Sequence, residues 1–226
     1  MKTVILSNGQ KYNYKPIPLY LGRKKINISV AKNNLEDFYR ILNSHDIKFL
    51  LFYGTLLGAI RENGFISHDE DIDVILPIQE FQAFKDLLYL FRENGFELAR
   101  LDERGFASII RNNEYIDLYF FSEYNDKFLS CCGEFVEKNI FDDSQTYNLY
   151  GINYPIPQDY EHVLRLYYGR DWNVPKEYKQ SYLKQMISIF NQKIKYILPS
   201  NIKKIIYKQK EKKLYIKFML KYNNSK

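Results

Sequence analysis

The chain has 226 residues, 46% hydrophobic and 17% aromatic, enough for one ordinary domain with a real core. Its formal charge of +6 is uneven: residues 193–226 hold eleven lysines against Glu211 alone, a tail of +10, whereas the first 192 residues hold 22 basic against 26 acidic side chains, or −4. No stretch reaches the roughly 20 apolar residues of a membrane span, the first residues lack a signal peptide's apolar length, and the adjacent Cys131 and Cys132 offer no zinc-binding spacing, so a reducing cytosol is expected.

Asn8-Gly9 between alternating residues predicts a hairpin over 4–14, and residues 15–30, with Pro16, Pro18 and Gly22, read as irregular. Leu35, Phe38, Tyr39 and Leu42 recur at helical spacing and predict a helix over 32–44. Residues 48–53 read as a buried strand, Gly54-Thr55 as a strand-to-helix turn, and 56–62 as a short helix ended near Asn63-Gly64. A second strand is predicted over 71–76, then one long helix over 79–94, stopped by Gly95. Strands follow at 96–101, 107–111 and 115–121, then short strands and loops over 127–155. Helices are predicted over 158–168 and 178–192, and the basic segment beyond Pro199-Ser200 reads as helical. The fold class is therefore α/β (or α+β), a mixed sheet flanked by helices. One catalytic domain, 1–192, includes the hairpin within 1–30, and a basic tail covers 193–226.

The chemistry concentrates between residues 53 and 76. Residues two apart on a strand point the same way, so Asp71 and Asp73 share a face, joined by Asp69 if the strand starts early. Carboxylates this close repel unless a divalent cation, Mg²⁺ or Mn²⁺, neutralises them. Gly54 and Thr55 open a helix whose free N–H groups suit phosphate oxygens, and Arg61 is placed to offset phosphate charge. Asp117 is the lone acid of an apolar strand; beside Asp71 and Asp73 it would complete a metal site and accept a proton, and otherwise it is a buried salt-bridge partner. Tyr167, Tyr168 and Trp172 suit an aromatic base or sugar platform and equally a helix packing on the core, and the second reading is favoured. Glu70 points to the opposite face, and Cys131-Cys132 reads as a strand pair without chemistry.

The run from Tyr53-Gly54-Thr55-Leu56-Leu57-Gly58-Ala59-Ile60-Arg61 through Gly64-Phe65-Ile66 to Asp69-Glu70-Asp71-Ile72-Asp73 resembles the LicD family of the nucleotidyltransferase superfamily. That family includes bacterial phosphocholine transferases and fukutin-related phosphoribitol transferases. Pro155-Ile156-Pro157, Tyr160-Glu161, Tyr168-Gly169-Arg170-Asp171-Trp172 and Pro175 are similar to its C-terminal signature, so the likeness covers roughly residues 32–180. Where the family carries Pro-Trp before its acidic run, this chain has Ser67-His68. The resemblance implies a nucleotidyltransferase-like fold and transfer of a phospho-alcohol (phosphocholine, glycerol phosphate or ribitol phosphate) from a CDP-linked donor to a sugar hydroxyl of a bacterial surface glycan, releasing CMP. It implies Asp69, Asp71, Asp73 and Asp117 as metal ligands, the last three catalytic. It also implies Gly54 and Thr55 as donor-phosphate contacts; Arg61 (unless it merely pairs with Glu62 or Asp69), His68, Tyr168 and Trp172 are the further candidates around the substrates that the residues themselves offer. A nucleotidyltransferase moving NMP from an NTP to RNA, protein or a small alcohol would use the same metal site, and a non-catalytic module would have lost it. The tail has three readings: a solvated helix, a nucleic-acid arm, or a segment lying on anionic lipid. The third is favoured, giving a cytoplasmic protein peripheral on the inner face of the cytoplasmic membrane.

Overall fold

The computed structural model describes residues 1–17, 25–175 and 200–225, with the backbone alone over 200–205. The predicted helix over 178–192, Pro18, Gly22 and residues 193–199 lie outside the described residues. The Asn8-Gly9 signal is realised as a hairpin of β1 (Lys2–Ile5) and β2 (Lys11–Tyr14), with Gly9 at φ +80. Alternation along β2 buries Tyr12 and Tyr14.

Helix α1 (Ile28–Asn43) begins four residues earlier than its apolar spacing predicts, because the Asn27 side chain accepts the Val30 N–H at 3.2 Å and caps it there. The expected strand over 48–53 is shorter: only β3 (Leu50–Leu51) pairs, and the backbone then turns at Tyr53, φ +42, into α2 (Tyr53–Glu62). Gly54 and Thr55 therefore sit inside the first turn of α2 rather than ahead of it. Strand β4 (Ile72–Pro77) includes Asp73 but not Asp69 or Asp71. The expected single helix over 79–94 divides at Leu87, where ψ is 2°, into α3 (Glu80–Asp86) and α4 (Leu88–Glu93). The break keeps Phe84 and Phe91 together, with ring centroids 5.6 Å apart, while Phe91 also meets Phe96.

Strands β5 (Glu97–Asp102), β6 (Phe106–Arg111) and β7 (Glu114–Glu123) follow as a meander. Then come the hairpin β8 (Phe128–Cys131) and β9 (Glu134–Glu137), the hairpin β10 (Ser144–Leu149) and β11 (Ile152–Pro157), α5 (Tyr160–Tyr168) and a C-terminal helix, Ser200–Ser225. Cys131 ends β8, but Cys132 occupies the turn at φ +56, so the two do not form a strand pair.

The central sheet runs β3-β4-β7-β6-β5, with β8 and β9 extending from the end of β7. β4 and β7 are parallel and the other neighbours antiparallel, which makes the sheet mixed and the fold α+β. Central strands are covered on both faces: Ile72, Val74, Ile75, Leu76, Ile116, Leu118 and Phe120 are fully buried. The C-terminal helix lays Leu214, Tyr215, Phe218 and Tyr222 onto Phe128, Phe135 and Leu166, a second apolar cluster. Among the described residues no helix is long and apolar enough to cross a membrane.

Candidate metal centre and active site

β4 and β7 pair in a register that sets Asp73 opposite Asp117. The next strand sets Ser108 opposite Asp117, and β5 sets Arg100 opposite Ser108. Four polar residues thus form one row across four strands of an otherwise apolar sheet centre. Asp71, at the bend before β4, stands two residues from Asp73. Asp71, Asp73 and Asp117 each offer an oxygen within 4.8 Å of the others.

Burial pushes Asp71 up to about 8, aided by the charges of Asp117 and Asp69. Burial and the neighbouring Asp71 and Asp117 raise Asp73 well above the usual carboxylate range, opposed by the Gly54 N–H bonded to it. Asp117 is raised by burial and pulled back by Arg100 and Ser108. An all-oxygen donor set carrying this much unbalanced negative charge fits a hard divalent cation.

Helix α2 holds the acids in place. Thr55 is buried, and its Oγ1 accepts the Asp73 N–H at 2.8 Å. The Phe52 N–H donates to the Asp73 carbonyl at 3.1 Å. A Cβ on Gly54 would lie 2.1 Å from Asp69 Oδ2, and one on Gly58 would lie 2.5 Å from the Gly64 carbonyl oxygen. Gly58 must be glycine for the backbone of 64–66 to lie against α2, and Gly54 leaves the room that the Asp69 carboxyl occupies. Asp69 stands beside the cluster, and its Oδ1 accepts the Glu70 N–H at 3.1 Å.

The other sequence-nominated residues divide. Tyr168, near the end of α5, has its phenol raised by burial and then by Asp73 and Asp69, which puts it in electrostatic reach of the acids. Arg61 is mostly buried and turned to Glu62 Oε1 at 2.6 Å and to the Trp172 carbonyl oxygen at 3.4 Å. Trp172 is half-buried and packs against the core. His68 is exposed in the turn before the acidic run.

Arg100 and Ser108 were not nominated by the sequence reading. Arg100 Nη2 donates to Asp117 Oδ2 at 2.9 Å, and its Nε donates to Ser108 Oγ at 2.7 Å. Ser108 Oγ donates in turn to Asp117 Oδ1. A signal existed: Asn112 and Asn113, both at positive φ, make a two-residue hairpin turn that pairs Arg111 with Glu114, and counting back puts Ser108 opposite Asp117. Tyr53 and Tyr119 were also missed as partners of Tyr167: the Tyr53 ring lies 5.2 Å from those of both Tyr119 and Tyr167.

A mixed sheet with acids on neighbouring strands, met by a glycine-opened helix, is the architecture of a nucleotidyltransferase-type domain. Residues 46–159 match the family described as LicD/FKTN/FKRP, nucleotidyltransferase domain, and the chain belongs to that family. It is 42% identical over 60 residues to the lipopolysaccharide cholinephosphotransferase LicD of Haemophilus influenzae, covering 26% of this chain and 23% of that one. It is 24% identical over 170 residues to the ribitol-5-phosphate transferase FKTN of Mus musculus, covering 64% and 33%. An uncharacterized protein of Rickettsia typhi is 25% identical over 115 residues, covering 51% and 36%. The chain thus spans between about a quarter and somewhat over a third of the length of these curated relatives. Among solved structures, the lincomycin-bound lincosamide antibiotic adenylyltransferase LnuA is similar at a TM-score of 0.46 and 12% identity, covering 75% of this chain and 98% of that one.

Proposed function

We propose that the chain is a metal-dependent transferase that moves a phospho-alcohol, such as phosphocholine, glycerol phosphate or ribitol phosphate, from a CDP-linked donor to a sugar hydroxyl of a bacterial surface glycan, capsule or lipopolysaccharide. The observation that carries this reading is the opposition of Asp73 and Asp117, joined by Asp71, at the N-terminus of α2. Membership of a family whose named relatives transfer cholinephosphate and ribitol 5-phosphate supports it.

Asp71, Asp73 and Asp117 would hold Mg²⁺ or Mn²⁺, with Asp69 beside them. The bound ion would supply charge neutralisation for the donor's diphosphate. The first turn of α2 presents N–H groups at the same place, and Thr55 fixes the backbone of Asp73 beneath them. Tyr168 walls the site, and Arg61, His68 and Trp172 flank the entry of the donor. The sugar oxygen attacks the phosphorus bearing the alcohol, and its proton passes to Asp117. The bond from that phosphorus to CMP breaks, and CMP leaves with the electron pair. Positioning and charge stabilisation carry the rate.

In the same reading residues 1–192 form the catalytic unit, and the C-terminal segment rests on anionic lipid at the inner face of the cytoplasmic membrane. Support comes from the outward face of the C-terminal helix, where Ile206, Ile216 and Leu220 are 43%, 62% and 62% exposed among exposed lysines.

The test is CMP release from a panel of CDP-alcohols, with Mg²⁺ or EDTA and a crude glycan acceptor. Metal-dependent CMP from one donor is the expected result. Pyrophosphate from a nucleoside triphosphate, with the nucleotide retained on the product, would overturn it in favour of NMP transfer.

A further inference from the structure

We propose that Arg100, with Ser108, is the positioning residue of the metal centre: together they clamp Asp117 and supply the countercharge that sets how tightly the three aspartates bind a divalent ion. This rests on the metal-dependent reading above and adds to it a residue outside the acidic motif.

The geometry is a closed triangle. Arg100 Nη2 reaches Asp117 Oδ2 at 2.9 Å, Arg100 Nε reaches Ser108 Oγ at 2.7 Å, and Ser108 Oγ donates to Asp117 Oδ1. Each oxygen of Asp117 therefore has its own donor, and the carboxylate cannot rotate. The clamp is itself held: the Arg100 guanidinium lies 3.9 Å above the Phe106 ring, and Ser108 is fully buried. Each Asp117 oxygen keeps a second lone pair for a metal or a proton.

Charge makes the second half of the argument. Asp71, Asp73 and Asp117 carry −3 when ionised, Asp69 and Glu70 add to that negative field, and Arg100 returns +1 to it. Arg100 is partly exposed at its outer edge, yet its inner nitrogens contact a buried acid, so its field acts where screening is weak.

Removing the charge and removing the clamp have different signatures. Arg100→Gln takes away +1, so Mn²⁺ should bind more tightly, on the order of tenfold. Its kcat should nevertheless fall while KM for the donor changes little, because Asp117 is no longer aimed. Ser108→Ala removes only one hydrogen bond: kcat falls and Mn²⁺ affinity does not rise. Arg100→Lys keeps the charge and should return Mn²⁺ affinity to that of the natural protein. Mn²⁺ titration by electron paramagnetic resonance reads this without turnover. Mn²⁺ affinity in Arg100→Gln that is unchanged or weaker, with the thermal transition intact, overturns the proposal. Should Arg100→Gln fail to fold, Arg100→Lys and Ser108→Ala decide: the proposal stands only if Lys matches the natural affinity and Ala does not exceed it. Failure of the natural protein to bind Mn²⁺ at all would overturn the metal-dependent reading itself, and this inference with it.

Discussion

Asp73 and Asp117 face one another across two parallel strands, so the backbone register itself brings two buried acids together. With Asp71 in the same cluster, this arrangement is costly without a cation and useful with one. Asp71→Asn and Asp73→Asn should each lower kcat by about 10³-fold while leaving circular dichroism unchanged. In EDTA the same variants should melt about 3 °C or more above the natural protein, since each removes a buried carboxyl that folding must either desolvate as a charge or protonate. Activity close to that of the natural protein in both variants would remove the acids from the mechanism.

The pH dependence of the metal-free protein follows from Asp71, whose carboxyl is pushed up to about 8, first by burial and then by Asp117 and Asp69. In the unfolded chain an aspartate titrates near about 3.9. Between those values the folded state holds a proton that the unfolded state has released. Stability from this group is therefore complete below about pH 4, falls as pH rises, and is spent above about pH 8. Thermal melts in EDTA should decline across that window, and Asp71→Asn should flatten the decline. Equal slopes in the two proteins would show that another group sets it.

Gly54→Ala sets two effects against each other. In an ordinary helix the change gains about 1 kcal/mol. Here the new Cβ would meet Asp69 Oδ2 at 2.1 Å, and the Asp69 carboxyl must turn away from its place beside the acids. The clash should win: Mn²⁺ affinity and activity drop by about tenfold or more. Adding Asp69→Ala removes the obstruction, and the double variant should recover Mn²⁺ binding relative to Gly54→Ala alone.

Much of this was legible in the sequence. Asn8-Gly9, the spacing of Leu35, Phe38 and Leu42, and the apolar run around Asp117 each determined a local conformation that packing then kept. The acidic motif was legible because Asp71 and Asp73 are neighbours along the chain. Arg100 was not, because it meets Asp117 through two hairpins, and sequence reading treated β5 and β6 as mere scaffold. The side-chain cap at Asn27 and the turn at Tyr53 also escaped periodicity, which sees apolar faces and not the ends of elements. The docking of the tail was not legible for a related reason: Tyr207, Leu214 and Phe218 lie on the side turned to the body, with Phe218 buried, and local spacing does not show which face meets a distant partner.

Cys131 and Cys132 are neighbours with opposite chemistry. Cys131 is buried and its Sγ donates to the Gly105 carbonyl at 3.2 Å, whereas Cys132 is exposed. Contact with Cys131, and then the charge of Arg104, hold Cys132 below the usual thiol range, while the same contact and burial push Cys131 up. Iodoacetamide should therefore label Cys132 first, with a rate rising through a midpoint below that of an ordinary thiol. Arg104→Gln should move that midpoint upward. Mass spectrometry of the labelled peptide reads both, and earlier labelling of Cys131 would contradict the assignment.

The two faces of the C-terminal helix should separate stability from membrane binding. Phe218 is buried, edge-on to Phe128 and tilted against Phe135 at ring-centroid distances of 5.2 and 5.5 Å. Phe218→Ala empties that contact and should cost about 3 kcal/mol. Ile216 and Leu220 are both 62% exposed on the opposite face. Ile216→Ser with Leu220→Ser should leave the thermal transition within about 1 °C of the natural protein. Sedimentation with vesicles containing phosphatidylglycerol should nevertheless fall by about tenfold, because each apolar side chain lost from the lipid boundary weakens binding directly. High salt should weaken the natural protein's binding as well, since the flanking lysines act through a screened field. Binding that survives both the double variant and high salt would exclude this face as the docking element.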